Sequence, residues 1–209
     1  MENVTLMRMA KESLRGKWTL AIGTFLVCSL LIDGLQMNYS LYPRMFGANM
    51  FVSMGGLVSL ILGGPLSLGQ SFFALSVSRN KEARFEQIFD GFRHFGTALG
   101  AYLLMAIFTF LWSLLLIIPG IIAAISYAMT FYIIAEDPSI DVMDAIDKSK
   151  KMMYGYKWKF FCLNLRFLGW AILCILTFGI GFLWLIPYME ISFVKFYDDI
   201  NGREVAAEI

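Results

Sequence analysis

Charged side chains arrive in clusters along this chain, and the stretches between the clusters are almost wholly apolar. The longest clean stretch runs from Phe95 to Ala135 without one charged side chain, interrupted only by Pro119-Gly120. As a single helix it would extend about 60 Å, twice the roughly 30 Å of a bilayer's hydrocarbon core. The pattern therefore predicts two spans, 97–118 and 120–135, with a tight turn at Pro119-Gly120. Shorter runs predict spans at 18–37 and 51–77. From Phe160 to Met189 Asn164 and Arg166 stand alone among apolar neighbours, and Thr177-Phe178-Gly179-Ile180-Gly181 is a turn signal, which predicts spans at 159–177 and 180–197. A rival reading takes 167–189 as one span, giving five crossings and a C-terminus on the far side.

The polar segments between spans carry a helical period of their own. Around 84–94, Phe85, Ile88, Phe89 and Phe92 fall on one face, with Glu86, Gln87, Asp90 and Arg93 on the other. Around 138–153, Val142, Ala145, Ile146, Ser149, Met152 and Met153 share a face. Here Asp137 is the expected N-cap, and acids Asp141, Asp144 and Asp147 precede bases Lys148, Lys150 and Lys151, as a helix dipole favours. A weaker version covers 3–16, with Leu6, Met7, Ala10 and Leu14 apolar. Each amphipathic segment ends near a glycine and then enters a span, so the chain reads as three helix-span-span units. The expected fold class is all-α, a polytopic membrane helical bundle of about six transmembrane helices forming one membrane domain over 1–209.

Composition supports the membrane class: the 209 residues are 58% hydrophobic and only 16% charged, against about 25% charged in soluble domains. Charge placement sets the orientation. Of the 17 Lys and Arg, the six-span reading leaves only Arg44 outside and Arg166 within a span, and puts the rest on the side of both termini. The five-span reading moves Lys195 and Arg203 outside. Six spans with both ends in the cytoplasm is thus the favoured topology. A net charge of +1 gives no footprint for nucleic acid.

Candidate chemistry is sparse. There is a single histidine, His94, and Cys28, Cys162 and Cys174 all lie in apolar stretches, so no metal site, cofactor or disulfide framework is expected. Gly63-Gly64-Pro65 and Gly179-Ile180-Gly181 lack the residues of phosphate-binding or nucleophile motifs. Glycines and small residues four apart, Gly55, Ser59 and Gly63 and again Gly120, Ala124 and Ala128, suit close helix packing. Acids such as Glu136, Asp198 and Asp199 are explained by solvated helix ends. Arg166 stands apart, seven residues beyond Lys159 and so about 10 Å further along its helix. It either snorkels back to phosphate or faces the bundle interior with Asn164, pairing with Glu190 around a polar cavity for an anionic group.

The stretch Pro119-Gly120-Ile121-Ile122-Ala123, Tyr127, Phe131 to Pro138, Ala145-Ile146, Ser149, Met153, Gly155 and Lys157-Trp158 resembles a bacterial membrane family known as domain of unknown function 975. Gly16-Lys17-Trp18, Gly64 to Gly69, Gly169-Trp170, Leu176 to Gly181 and Pro187-Tyr188-Met189 resemble it too. The resemblance implies a multi-pass protein of the bacterial cytoplasmic membrane, similar to the membrane domain joined to some glycerophosphodiester phosphodiesterases, but with no catalytic domain. The expected role is non-enzymatic: scaffold, accessory or lipid-interacting protein, meeting anionic headgroups and other membrane proteins. The alternative is a small-molecule transporter or exporter with a polar cavity near Arg166.

Overall fold

The computed structural model describes the backbone of residues 1–41 and 48–208, and the side chains of 1–31 and 61–202 apart from Leu115 and Ile117. Arg44 lies outside the described residues, as do the surroundings of Gly55 and Ser59. The protein is an all-α membrane helical bundle. In chain order the helices are α1 (Asn3–Ser13), α2 (Trp18–Leu41), α3 (Ala48–Ser78), α4 (Gln87–Asp90) with a 3-10 turn at Gly91–His94, and α5 (Phe95–Leu115). They continue as α6 (Ile117–Tyr127), α7 (Thr130–Glu136), α8 (Val142–Met152), α9 (Lys157–Leu176) and α10 (Phe182–Glu208).

Among the described residues four stretches are long and apolar enough to cross a bilayer: Ile61–Ser78, Gln87–Leu114, Ile118–Glu136 and Lys157–Leu176. The pair Asn3–Ser13 and Trp18–Leu31, bent by 101°, would make a fifth. The last helix, α10, is central rather than peripheral, with Ile191, Val194, Phe196 and Tyr197 all at 0% exposure. A helix buried nearly all round can carry polar residues toward protein partners instead of lipid. At the opposite end, Leu114, Leu176 and Phe178 stand exposed, an apolar surface that lipid is suited to cover.

Two of the three expected units are visible atom by atom. At the end of α1, the amides of Leu14, Arg15 and Lys17 donate to Ala10, Glu12 and Leu14, and Gly16 turns the chain at φ +81°. At the end of α8, the amides of Met153, Tyr154 and Tyr156 donate to Ser149, Lys151 and Met153, and Gly155 turns at φ +81°. Leu6, Ala10, Ser13 and Leu14 are buried in one unit and Ala145, Ser149, Met152 and Met153 at the same steps in the other. The match continues into the following helices, where Ala21, Thr24 and Cys28 correspond to the buried Phe160, Leu163 and Phe167. A left-handed glycine lets an amphipathic helix stop and its successor leave at a steep angle.

The middle unit departs from this plan. Its amphipathic helix is shorter than 84–94, beginning at Gln87 and tightening into the 3-10 turn. Glycines press it onto α3: a Cβ at Gly69 would lie 1.9 Å from the Ile88 carbonyl oxygen, and one at Gly91 would lie 2.0 Å from that of Pro65.

Three local expectations are corrected. The break after α5 falls at Leu116, which is extended, and Pro119-Gly120 lies within the first turn of α6. Proline fits there because its missing N–H would have no intrahelical acceptor. Gly120 serves packing, since a Cβ would meet Ser113 Oγ at 2.1 Å. The segment 120–135 is not one helix but kinks between α6 and α7, where Ser149 Oγ donates to the Ser126 carbonyl at 2.8 Å and accepts from the Met129 amide at 3.3 Å. The N-cap of α8 is Asp141, accepting from the Met143 amide at 3.0 Å, while Asp137 accepts from Ser139 in the preceding turn. The turn expected at Thr177 to Gly181 is present, with Phe178 and Gly179 both at positive φ.

Candidate functional site

The ends of α3 and α7 meet the C-terminal half of α10, and each of these helices contributes to one polar clasp. Arg79, just past the end of α3, donates Nη2 to Glu136 at the end of α7 and, at 2.7 Å, to Asp198 of α10. The Nε of Arg79 also reaches Asp198, at 3.2 Å. Glu136 accepts again from the Tyr197 phenol at 2.5 Å and from Asn201 at 3.5 Å. Burial would lower the proton affinity of Arg79, but the hydrogen bonds it donates to Asp198 and Glu136 raise it above the usual arginine value. A cavity of about 400 Å³ opens beside the clasp, bounded by Phe72, Ser76, Arg79, Lys81 and Glu136.

The clasp extends inward through aromatic rings. Tyr197 packs against Tyr132 with ring centroids 5.7 Å apart, and the Tyr132 phenol donates to Glu190 Oε2 at 3.1 Å. On the other flank of α10, Asp199 accepts from Lys159 Nζ at 2.8 Å and from the Met1 amine at 2.9 Å. Burial would raise the Asp199 pKa, but these two cations hold it below the ordinary carboxylate value. Asn3 adds a bond from Nδ2 to the Lys159 carbonyl at 3.0 Å, pinning the start of α1 to that of α9.

Asn164, Arg166 and Glu190 occupy three separate places. Asn164 donates back to the Phe160 carbonyl of its own helix at 2.9 Å and lines an apolar cavity of about 600 Å³ between α9 and α10. Glu190 faces the interior and is held by Tyr132. Arg166 is exposed on α9, in an open groove of about 550 Å³ that it shares with Arg8 and Lys11 of α1 and with Trp170 and Tyr188. No ion pair joins Arg166 to Glu190 among the described residues.

Sequence reasoning missed the clasp as a site. Glu136 and Asp198 have the look of solvated charges at helix ends, and nothing in their spacing shows that they meet. No group of three or more His, Cys, Asp or Glu side chains is placed to hold a metal ion among the described residues.

No curated protein and no solved structure matches the chain. The family model described as "Protein of unknown function (DUF975)" matches residues 1–127 and again 114–204, which together take in nearly every element described above. The chain belongs to this DUF975 family.

Proposed function

We propose that this protein is a non-enzymatic accessory or scaffold protein of the bacterial cytoplasmic membrane that acts on or through membrane lipid, with its basic end in the cytoplasm. The observation that carries this reading is the elbow at the end of α1. There Gly16 sends an amphipathic helix with the exposed basic residues Arg8, Lys11 and Arg15 across the end of an apolar helix. Such a helix sits at headgroup level when its successor is in hydrocarbon, and each basic residue near an anionic leaflet contributes about 1 kcal/mol.

Hydrogen exchange in nanodiscs tests this. The expected result is that the α1 amides exchange more slowly in phosphatidylglycerol than in phosphatidylcholine, and equal exchange in the two lipids would overturn it. A second reading, transport of a small molecule, is favoured by one observation, the Glu190 carboxyl held by Tyr132 inside the bundle, since intramembrane acids commonly serve transport pathways. It requires water at that depth. A cysteine replacing Glu190 would then react with impermeant thiol reagents, whereas the lipid reading expects no reaction.

A further inference from the structure

The groove around Arg166 resolves a problem that the sequence posed. A guanidinium carried about two turns into an apolar helix is costly unless an anion meets it, and Arg166 has no carboxylate partner among the described residues. Instead the groove gathers two further cations, Arg8 and Lys11, from the amphipathic helix lying across α9 and α10. Among the described residues three positive side chains line it and no acid does. Like charges drawn together in this way repel unless something negative sits between them.

The other walls identify that anion. Trp170 and Tyr188 are the residue types that favour the boundary between headgroup and hydrocarbon, and the Tyr188 phenol adds a donor. Below Arg166 the surface of α9 continues through Trp170 and Leu173, 55% and 54% exposed. A free phosphate ion would use the cations and leave that apolar strip idle, whereas an acyl chain would cover it. The geometry points to a binding site for the phosphate of an anionic phospholipid, formed jointly by Arg8, Lys11 and Arg166, with Trp170 and Leu173 lying along its acyl chain. This inference rests on the lipid reading above and adds the site and the chemical class of ligand.

The site explains why the positive charge is divided between two helices. The lipid would bridge α1 to α9 by accepting from Arg8, Lys11 and Arg166, which carry only donors and cannot bond one another. Guanidinium groups offer paired donors to phosphate oxygens, so Arg8 and Arg166 would grip the phosphate from either side while Lys11 adds a point charge.

The test is titration of the delipidated full-length protein in detergent with phosphatidylglycerol, read by native mass spectrometry. One cation facing the phosphate corresponds to about a fivefold change in affinity. Arg166→Gln is therefore expected to weaken retention about fivefold, and the combination with Arg8→Gln and Lys11→Gln about a hundredfold. Lys148→Gln with Lys151→Gln on α8, exposed and not among the residues that line the groove, should leave retention unchanged. If Arg166→Gln fails to fold, Arg8→Gln with Lys11→Gln, both on the surface, carries the same expectation at about twentyfold.

Equal losses in the groove and α8 variants would show a diffuse charge effect and overturn the site. So would full retention in the groove variants, or displacement of the lipid by inorganic phosphate at equal concentration. The outcomes also separate the two claims. Slower α1 exchange in anionic nanodiscs without groove-dependent retention would sink the site and spare the lipid reading, whereas no anionic effect on α1 in the unaltered protein would sink that reading itself.

Discussion

Glu136 is the residue on which most of the clasp converges, since it accepts from Arg79, Tyr197 and Asn201 together. Removing its charge leaves Arg79 with Asp198 alone and weakens the hold on the buried Tyr197 phenol at once. Glu136→Gln and Arg79→Gln should each lower thermal stability, and the double variant should lose less than the sum. A coupling of about 1–3 kcal/mol is expected from such a cycle, and strict additivity in detergent melts would show that the pair is incidental. Asp199 gives a pH signature. Its pKa is depressed in the folded state, so its stabilising effect is present above the ordinary Asp value and fades as pH falls through the lower folded value. Asp199→Asn should therefore lower the melting temperature at neutral pH, by the equivalent of about 2 kcal/mol, with the gap closing below about pH 4. A gap that persisted in acid would contradict the pairing. The residues legible from sequence were those that interrupt an apolar run, Asn164, Arg166 and Glu190. Arg79, Tyr197 and Asp198 were not, because a charge or phenol at a helix end looks the same whether it meets water or a partner.

Helices and turns were legible where a local rule has one meaning. The glycine at the end of each outer amphipathic segment and the Gly-rich turn between α9 and α10 both proved to need positive φ. Pro119 misled because proline suits the first turn of a helix as well as a loop, and the period alone cannot choose. Glycines likewise divide into two kinds that sequence does not separate. Gly155 has nothing within 4 Å of a built Cβ but sits at φ +81°. Gly155→Ala should thus cost only the backbone strain, about 1–2 kcal/mol, and leave a foldable protein. Gly91 has an ordinary negative φ but no room, its built Cβ lying 2.0 Å from the Pro65 carbonyl oxygen. Gly91→Ala should be the more damaging, displacing α4 from α3, and limited proteolysis after Lys81 or Arg84 would report the loosening. Equal tolerance of the two would refute this ranking.

At the scale of the whole molecule, the likeness of the two outer units was readable from the spacing of polar clusters, but the meeting of α3, α7 and α10 was not, because it depends on how the helices pack. The topology itself is open to direct measurement. In a variant lacking Cys28, Cys162 and Cys174, single cysteines at Phe178, Tyr154 and Asn201 should divide by sidedness. Six spans predict that 154 and 201 react with an impermeant reagent from one face and 178 from the other. Reaction of 201 and 154 from opposite faces would instead select the five-span chain. The packing of α1 on α10 also has a consequence for how the protein is made. A growing chain emerges from the ribosome with Leu6, Ala10 and Leu14 ready and their main partner still untranslated, so α1 must wait for α10 before it settles. Until α10 arrives, that amphipathic segment has the membrane surface as its resting place, and a nascent chain arrested before residue 182 should show α1 bound there and open to protease, with protection appearing only once α10 has been inserted.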